Sequence, residues 1–171
     1  MRYNYTAEEI KEAIKNNTIC NLLNKVKVKP GDCYFVSSGT IHAIGKGIVL
    51  IEIQQNSALT YRVYDYDRVD KNGNHRELHI EKALKVINLN KYVPENIKKN
   101  PLGNCKYFNV NLIQNENEIQ SDKNAGNCIS FIEGNASIEN IQFHKGDTVF
   151  QKAGTTIKIS GKYKAIKTTI Q

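Results

Sequence analysis

Cysteine and histidine are both scarce, with four of each in 171 residues. The cysteines (Cys20, Cys33, Cys105, Cys128) never form a CxxC pair, so a thiolate zinc site has no support. No apolar run approaches the roughly 18–20 residues that span a bilayer, and no membrane partner is expected. Met1-Arg2-Tyr3-Asn4-Tyr5 leads into a charged segment with no apolar h-region. No secretory signal is visible, and the expected setting is cytoplasmic with reduced thiols. Arginine is rare as well: only Arg2, Arg62, Arg68 and Arg76. The net charge of +7 therefore comes from scattered lysines. No basic stripe with interleaved aromatics appears, so a solvated surface is expected and a nucleic-acid partner is not.

What is present suits a globular chain, 40% hydrophobic and 24% charged. This length buries one good core or two small ones. Thr6-Ala7-Glu8-Glu9 is a capping box, a hydroxyl at the N-cap with Glu three residues on. Ile10 and Ile14 follow at helical spacing, so a short helix is expected to start there and fade at Asn16-Asn17. A second short helix is expected over Cys20 to Leu23. The period then switches to two. Strands are expected at Val26 and Val28, Tyr34 to Val36, Ile48 to Gln54 and Thr60 to Tyr66. A helical piece is expected within Leu78 to Ile87. Residues 91–104 carry Pro94, Pro101 and Gly103 and read as a linker. Beyond it, strands are expected at Tyr107 to Ile113, Ile129 to Glu133, Ile138 to Phe143, Thr148 to Gln151, Thr156 to Ile159 and Ala165 to Thr169.

One pattern occurs twice. Gly31-Asp32-Cys33-Tyr34-Phe35-Val36-Ser37-Ser38-Gly39-Thr40-Ile41-His42 is echoed by Gly146-Asp147-Thr148-Val149-Phe150-Gln151-Lys152-Ala153-Gly154-Thr155-Thr156-Ile157. The glycines, Asp, Phe and Thr recur at matching offsets, and Ile157 stands where the first copy has His42. One copy is equipped for chemistry and the other is structural. Strand and turn fill residues 105–145 before the second copy, whereas the thirty residues before the first are largely helical. The close strand spacing suits a sandwich or small barrel; if both halves share that fold, the first lacks its opening strands and leaves unpaired edges, which need a partner, a rearrangement or self-association.

His42 is the leading candidate for chemistry, as a metal ligand fixed between turns. A histidine hydrogen-bonded to backbone is the plainer alternative. In Ile48 to Gln55, Glu52 and Gln54 share a face; in Thr60 to Tyr66, Thr60, Arg62, Tyr64 and Tyr66 share one. Glu52 and Arg62 either point into a polar hollow near His42 or form an outward cross-strand ion pair, worth under about 1 kcal/mol. Periodicity leaves that choice open. His75 and His79 stand at i, i+4, a spacing that holds zinc on a helix, but Asn72-Gly73-Asn74 makes a turn just before and the helix is expected to begin later. His144 is expected at the surface. Asp65, Asp67 and Asp70 around Arg68 are expected as solvated turn residues, since the glycine and distal glutamate of an EF-hand are missing.

The block from Gly31 through Ser37 and Gly39 to His42 resembles the second signature of the cupin superfamily. Gly39-Thr40-Ile41-His42-Ala43-Ile44-Gly45, Glu52-Ile53-Gln54-Gln55-Asn56-Ser57 and Thr60-Tyr61-Arg62-Val63-Tyr64-Asp65-Tyr66 together resemble the type I mannose-6-phosphate isomerases (phosphomannose isomerases). Arg76-Glu77-Leu78-His79-Ile80-Glu81-Lys82-Ala83-Leu84 continues the match. The similarity is dense from about Asn16 to Leu84 and weak afterwards. It implies a mainly β fold, two cupin jelly-roll barrels in tandem. Residues 1–90 would form an incomplete first barrel with a short helical lead-in, 91–104 a linker, and 105–171 a second, degenerate barrel.

The resemblance also implies an isomerase of carbohydrate metabolism with a sugar-phosphate substrate. Zinc would be bound through His42, Arg62 would be catalytic, and Glu52 would lie in the site. The family's remaining zinc ligands sit on earlier strands, expected before Met1, so the zinc site is expected to be incomplete in this chain. The chain then reads as the C-terminal portion of such an enzyme, completed by self-association or by a missing N-terminal half. The alternatives are a non-catalytic cupin module, a scaffold or sugar-phosphate binder, and one half of a split enzyme.

Overall fold

The computed structural model describes residues 1–57, 59–66 and 68–170. The chain divides into two compact units, Met1–Gly31 with Val36–Glu95, and Asp32–Phe35 with Asn96–Gln171.

Unit 1 begins with α1 (Ala7–Lys15), whose capping box forms as expected. Glu9 N donates to Thr6 Oγ1 at 3.2 Å, and Thr6 N donates to Glu9 Oε2 at 2.7 Å. The Thr6 N bond, with a second from Thr6 Oγ1 to Glu9 Oε2 at 3.0 Å, holds the Glu9 carboxyl below the usual carboxylate range. Ile10, Ala13 and Ile14 line the buried stripe of α1 and pack with Met1 and Ile19. Burying an isoleucine contributes about 1.5–3 kcal/mol. The expected second helix is a 3-10 turn at Ile19–Asn21. α2 (Ile80–Leu84) starts after His79, and Ala83 is its buried residue. The strands expected at 26–28, 34–36, 48–54 and 60–66 form no ladder among the described residues. A strand is stable only when a neighbouring backbone takes its N–H and C=O groups in a continuous ladder; in 60–66 the His79 amide reaches Arg62 O, a single backbone contact with no strand beside it among the described residues. Ile48, Val49, Leu50 and Ile51 are correspondingly exposed.

Unit 2 is antiparallel β. Its strands are β1 (Gly103–Asn104), β2 (Phe108–Gln114), β3 (Glu118–Gln120), β4 (Asn127–Ile138), β5 (Ile141–His144), β6 (Thr148–Gln151), β7 (Thr156–Lys158) and β8 (Ser160–Ile170). The larger sheet runs β1-β2-β8-β4-β5, with β6 also on β4, and β3 pairs with β7 in a second sheet. One edge of β4 is taken by β8; its other edge is shared, β6 pairing Asn127 to Ser130 and β5 pairing Asn135 to Ile138. Burial on β4 alternates through Asn127, Ile129 and Phe131 and resumes one step out of phase at Ala136 and Ile138. An irregularity between Phe131 and Glu133 accounts for the shift.

The core of unit 2 joins Ile119 from the small sheet to Ile113, Ile129, Phe131, Ala136, Ile138, Tyr163 and Ala165 from the large one. Ile157, the counterpart of His42, packs against that cluster. A buried polar lock crosses the same interior. Asn127 Nδ2 donates to Gln151 Oε1 at 2.8 Å, and Thr169 Oγ1 donates to Asn127 Oδ1 at 2.7 Å. Gln151 Nε2 donates to the carbonyls of Ile119 and Thr155 at 2.8 and 2.9 Å. Both amides find partners at each end, as burial of polar groups requires. Among the described residues no helix is long and apolar enough to cross a membrane.

Candidate active site

The turn before His42 is fixed from below by the segment after α2. Gly39 has φ +81°, and a Cβ there would meet the Val86 carbonyl oxygen at 2.5 Å, so only glycine fits. Asn88 N donates to Gly39 O at 2.9 Å, and Thr40 N to Ser37 O at 3.1 Å. His42 comes next, exposed, with Nδ1 3.0 Å from Thr40 O. A carbonyl only accepts, so Nδ1 carries the hydrogen and Nε2 keeps a bare lone pair. That is the state of a metal-ligating imidazole steadied by a backbone carbonyl. The ring thus makes the backbone bond of the plainer alternative, though exposed and not buried, and its other nitrogen stays open.

Arg62 is half-buried and bound to the segment before α2. Its N donates to His79 Nδ1 at 3.2 Å, its carbonyl accepts from His79 N at 2.7 Å, and its Nη1 donates to Glu77 O at 3.3 Å. The guanidinium is therefore held by a carbonyl, and the outward Glu52–Arg62 ion pair is not formed. Glu52 is exposed, with no hydrogen bond to His42 or Arg62 among the described residues. Ile41 and Val63, each adjacent to a candidate residue, pack on the same cluster around Ile10 and Ile14. The segments carrying His42 and Arg62 thus share one core.

Asp65 departs from its expectation as a solvated turn residue. It is buried, 8% exposed. Its Oδ1 takes Arg68 Nη2 at 3.1 Å and Arg76 Nη1 at 3.4 Å, while Oδ2 is buried without a partner among the described residues. Two guanidiniums offset the cost of removing one carboxylate from water. Asp70 is exposed and closes the next turn as expected, accepting from Asn72 N at 2.7 Å and Asn74 N at 3.0 Å. Those bonds lower its pKa. Asp67 lies outside the described residues. His75 pairs with Val69 in an isolated bridge, and α2 begins only after His79, so the i, i+4 histidines do not share a helix. His144 is exposed, as expected. Sequence reasoning missed the Arg62–His79 exchange and the Asp65–Arg76 pair. Their signal is the Arg76-to-His79 block itself, which the sequence alone marks only as continued resemblance.

Zinc needs about three protein ligands and a water. His42 fits one of those places, but among the described residues no three His, Cys, Asp or Glu side chains gather to hold a metal ion. No step through a metal follows from these residues alone.

No protein-family model matches the chain. It is 46% identical over 115 residues to mannose-6-phosphate isomerase ManA of Bacillus subtilis (strain 168), a match covering 61% of this chain and 36% of that protein. It is 50% identical over 84 residues to the mannose-6-phosphate isomerase of Streptococcus mutans, covering 49% of this chain and 27% of that one. The crystal structure of a mannose 6-phosphate isomerase from Bacillus subtilis aligns with TM-score 0.73 and 33% identity, over 97% of this chain and 58% of its own. The chain thus matches less than half the length of these two curated relatives. The proteins it is similar to are thus named mannose-6-phosphate isomerases, the resemblance its sequence motifs carry.

Proposed function

We propose that the chain serves the zinc-dependent interconversion of mannose 6-phosphate and fructose 6-phosphate, as the C-terminal portion of such an isomerase. On this reading residues 1–90 are part of a first cupin jelly-roll and 105–171 a second, degenerate one. The observation that carries it is the combined sequence and structural likeness to proteins of that name. The reaction moves a proton from C2 to C1 through a cis-enediol. His42 Nε2 supplies one metal ligand; a bound zinc would polarise or orient the substrate oxygens. The Arg62 guanidinium supplies fixed positive charge for the enediolate or the phosphate. Glu52, an exposed carboxylate on the neighbouring segment, is the proton carrier or an orienting group.

The test is isomerase turnover and metal content, measured on this chain alone and with a co-expressed polypeptide covering the rest of the relatives' length. Turnover is expected with the co-expressed partner, and Arg62→Ala is expected to lower it by about 10²–10³-fold. His42→Ala is expected to remove bound zinc; full turnover after that change would end the metal assignment. A second reading, a non-catalytic cupin module that binds sugar phosphate, is favoured by the absence of a three-ligand group among the described residues. Stoichiometric zinc in the purified chain would count against it.

A further inference from the structure

Two histidines of unit 1 are held in opposite tautomers. His42 gives its Nδ1 hydrogen to Thr40 O and leaves Nε2 bare. His79 does the reverse. Its Nδ1 lies 3.2 Å from Arg62 N, a backbone N–H that can only donate. Nδ1 must therefore be the acceptor, and the neutral ring carries its hydrogen on Nε2. The Glu77 carboxylate lies on that side, with Oε2 3.8 Å from Nε2. In this state neither nitrogen of His79 offers a lone pair to a metal.

The backbone of the same residue completes the grip. His79 N donates to Arg62 O at 2.7 Å, so one residue satisfies both the N–H and the C=O of Arg62. The ring is only 22% exposed and sits 6.1 Å from that of Tyr61, which limits its rotation. Two residues earlier, Glu77 O receives Arg62 Nη1 at 3.3 Å. Backbone and guanidinium are thus set by one three-residue segment.

We propose that His79 is the positioning residue for Arg62, acting through its Nε2–H tautomer, which leaves Nδ1 free to accept the Arg62 amide. This rests on Arg62 being a site residue, but its test does not. Nitrogen NMR of the full chain is expected to show hydrogen on Nε2 of His79 and on Nδ1 of His42. In His79→Ala, exchange of the Arg62 amide is expected to accelerate about tenfold, the equivalent of one ordinary hydrogen bond. His79→Asn, which keeps an acceptor near the Nδ1 position, is expected to restore most of the protection. Amides of α1 serve as the control for intact folding. If His79→Ala unfolds unit 1, α1 loses protection too, and the tautomer in the unaltered chain decides. Hydrogen on Nδ1 of His79, or unchanged Arg62 exchange with α1 intact, overturns the proposal. Full turnover in Arg62→Ala would overturn the catalytic reading instead, leaving the NMR and exchange results standing.

Discussion

Unit 2 pairs its strands edge to edge in two sheets, whereas unit 1 ties its chain with turns, caps and side-chain bonds. The repeated Gly-Asp segment brings the contrast down to one place. Gly31 and Gly146 have φ of +86° and +98°, and Gly39 and Gly154 have +81° and +69°. The turns keep one geometry in both copies. The residue after the second turn differs: Ile157 packs on the unit 2 core, and His42 stands exposed. The glycine turns are common to both copies, and the side chain that follows them is buried in one and exposed in the other.

The largest expected contrast is in core substitutions. Phe131 is 1% exposed and packs against Phe143 and Tyr163 with ring centroids 5.3 and 5.5 Å away. Phe131→Ala should cost about 3–5 kcal/mol in chemical denaturation. Val49, 94% exposed in unit 1, should tolerate Ser within about 0.5 kcal/mol. Equal effects would break the comparison.

A smaller contrast lies within unit 1. Gly31→Ala should cost about 1–2 kcal/mol for its left-handed backbone, since open space surrounds it. Gly39→Ala should cost more, because the new methyl meets Val86 O, and it should speed exchange of the Asn88 amide. A cheaper Gly39 change would mean the turn before His42 is not pinned.

The smallest contrast is in pH. Burial raises the Tyr163 phenol to about 12, with the Glu116 carboxylate adding to the shift. Its contribution to unit 2 is complete below the ordinary phenol range and should fade as pH rises from there toward about 12. Asp70 is shifted the other way by the N–H groups of Asn74 and Asn72. Its turn in unit 1 is fully supported above the ordinary aspartate range and should loosen as pH falls through its lowered pKa. Amide exchange measured against pH should show unit 1 yielding at Asp70 in acid and unit 2 at Tyr163 in alkali.

Much of this architecture is legible in the sequence, most clearly where local chemistry decides. The capping box places α1, and the strand expected over Thr148 to Gln151 has the bounds β6 shows. The junction of β4 and β5 is not legible. Ile138 pairs with Ile141 across Glu139 and Asn140, with φ of +49° and +66°. Such tight hairpins usually announce themselves with glycine, and here none is present. The strands expected in unit 1 fail for another reason: period-two residues supply a face, but a ladder requires a second backbone. At the candidate site, His42 and Arg62 are legible as residue types in motifs. Their partners are not, because hydrogen bonds from Arg62 to His79 and Glu77 depend on how distant segments meet.

His79 also has a duty at the helix behind it. Its carbonyl accepts the Ala83 amide, the first bond of α2, while its ring, turned toward Arg62, gives that helix no side-chain cap. A single pivot therefore joins the arginine-bearing segment to a five-residue helix. A shift of the Arg62 backbone would pull, through His79, on the first coil of α2. Such a displacement would pass along one residue into the packing around Ala83.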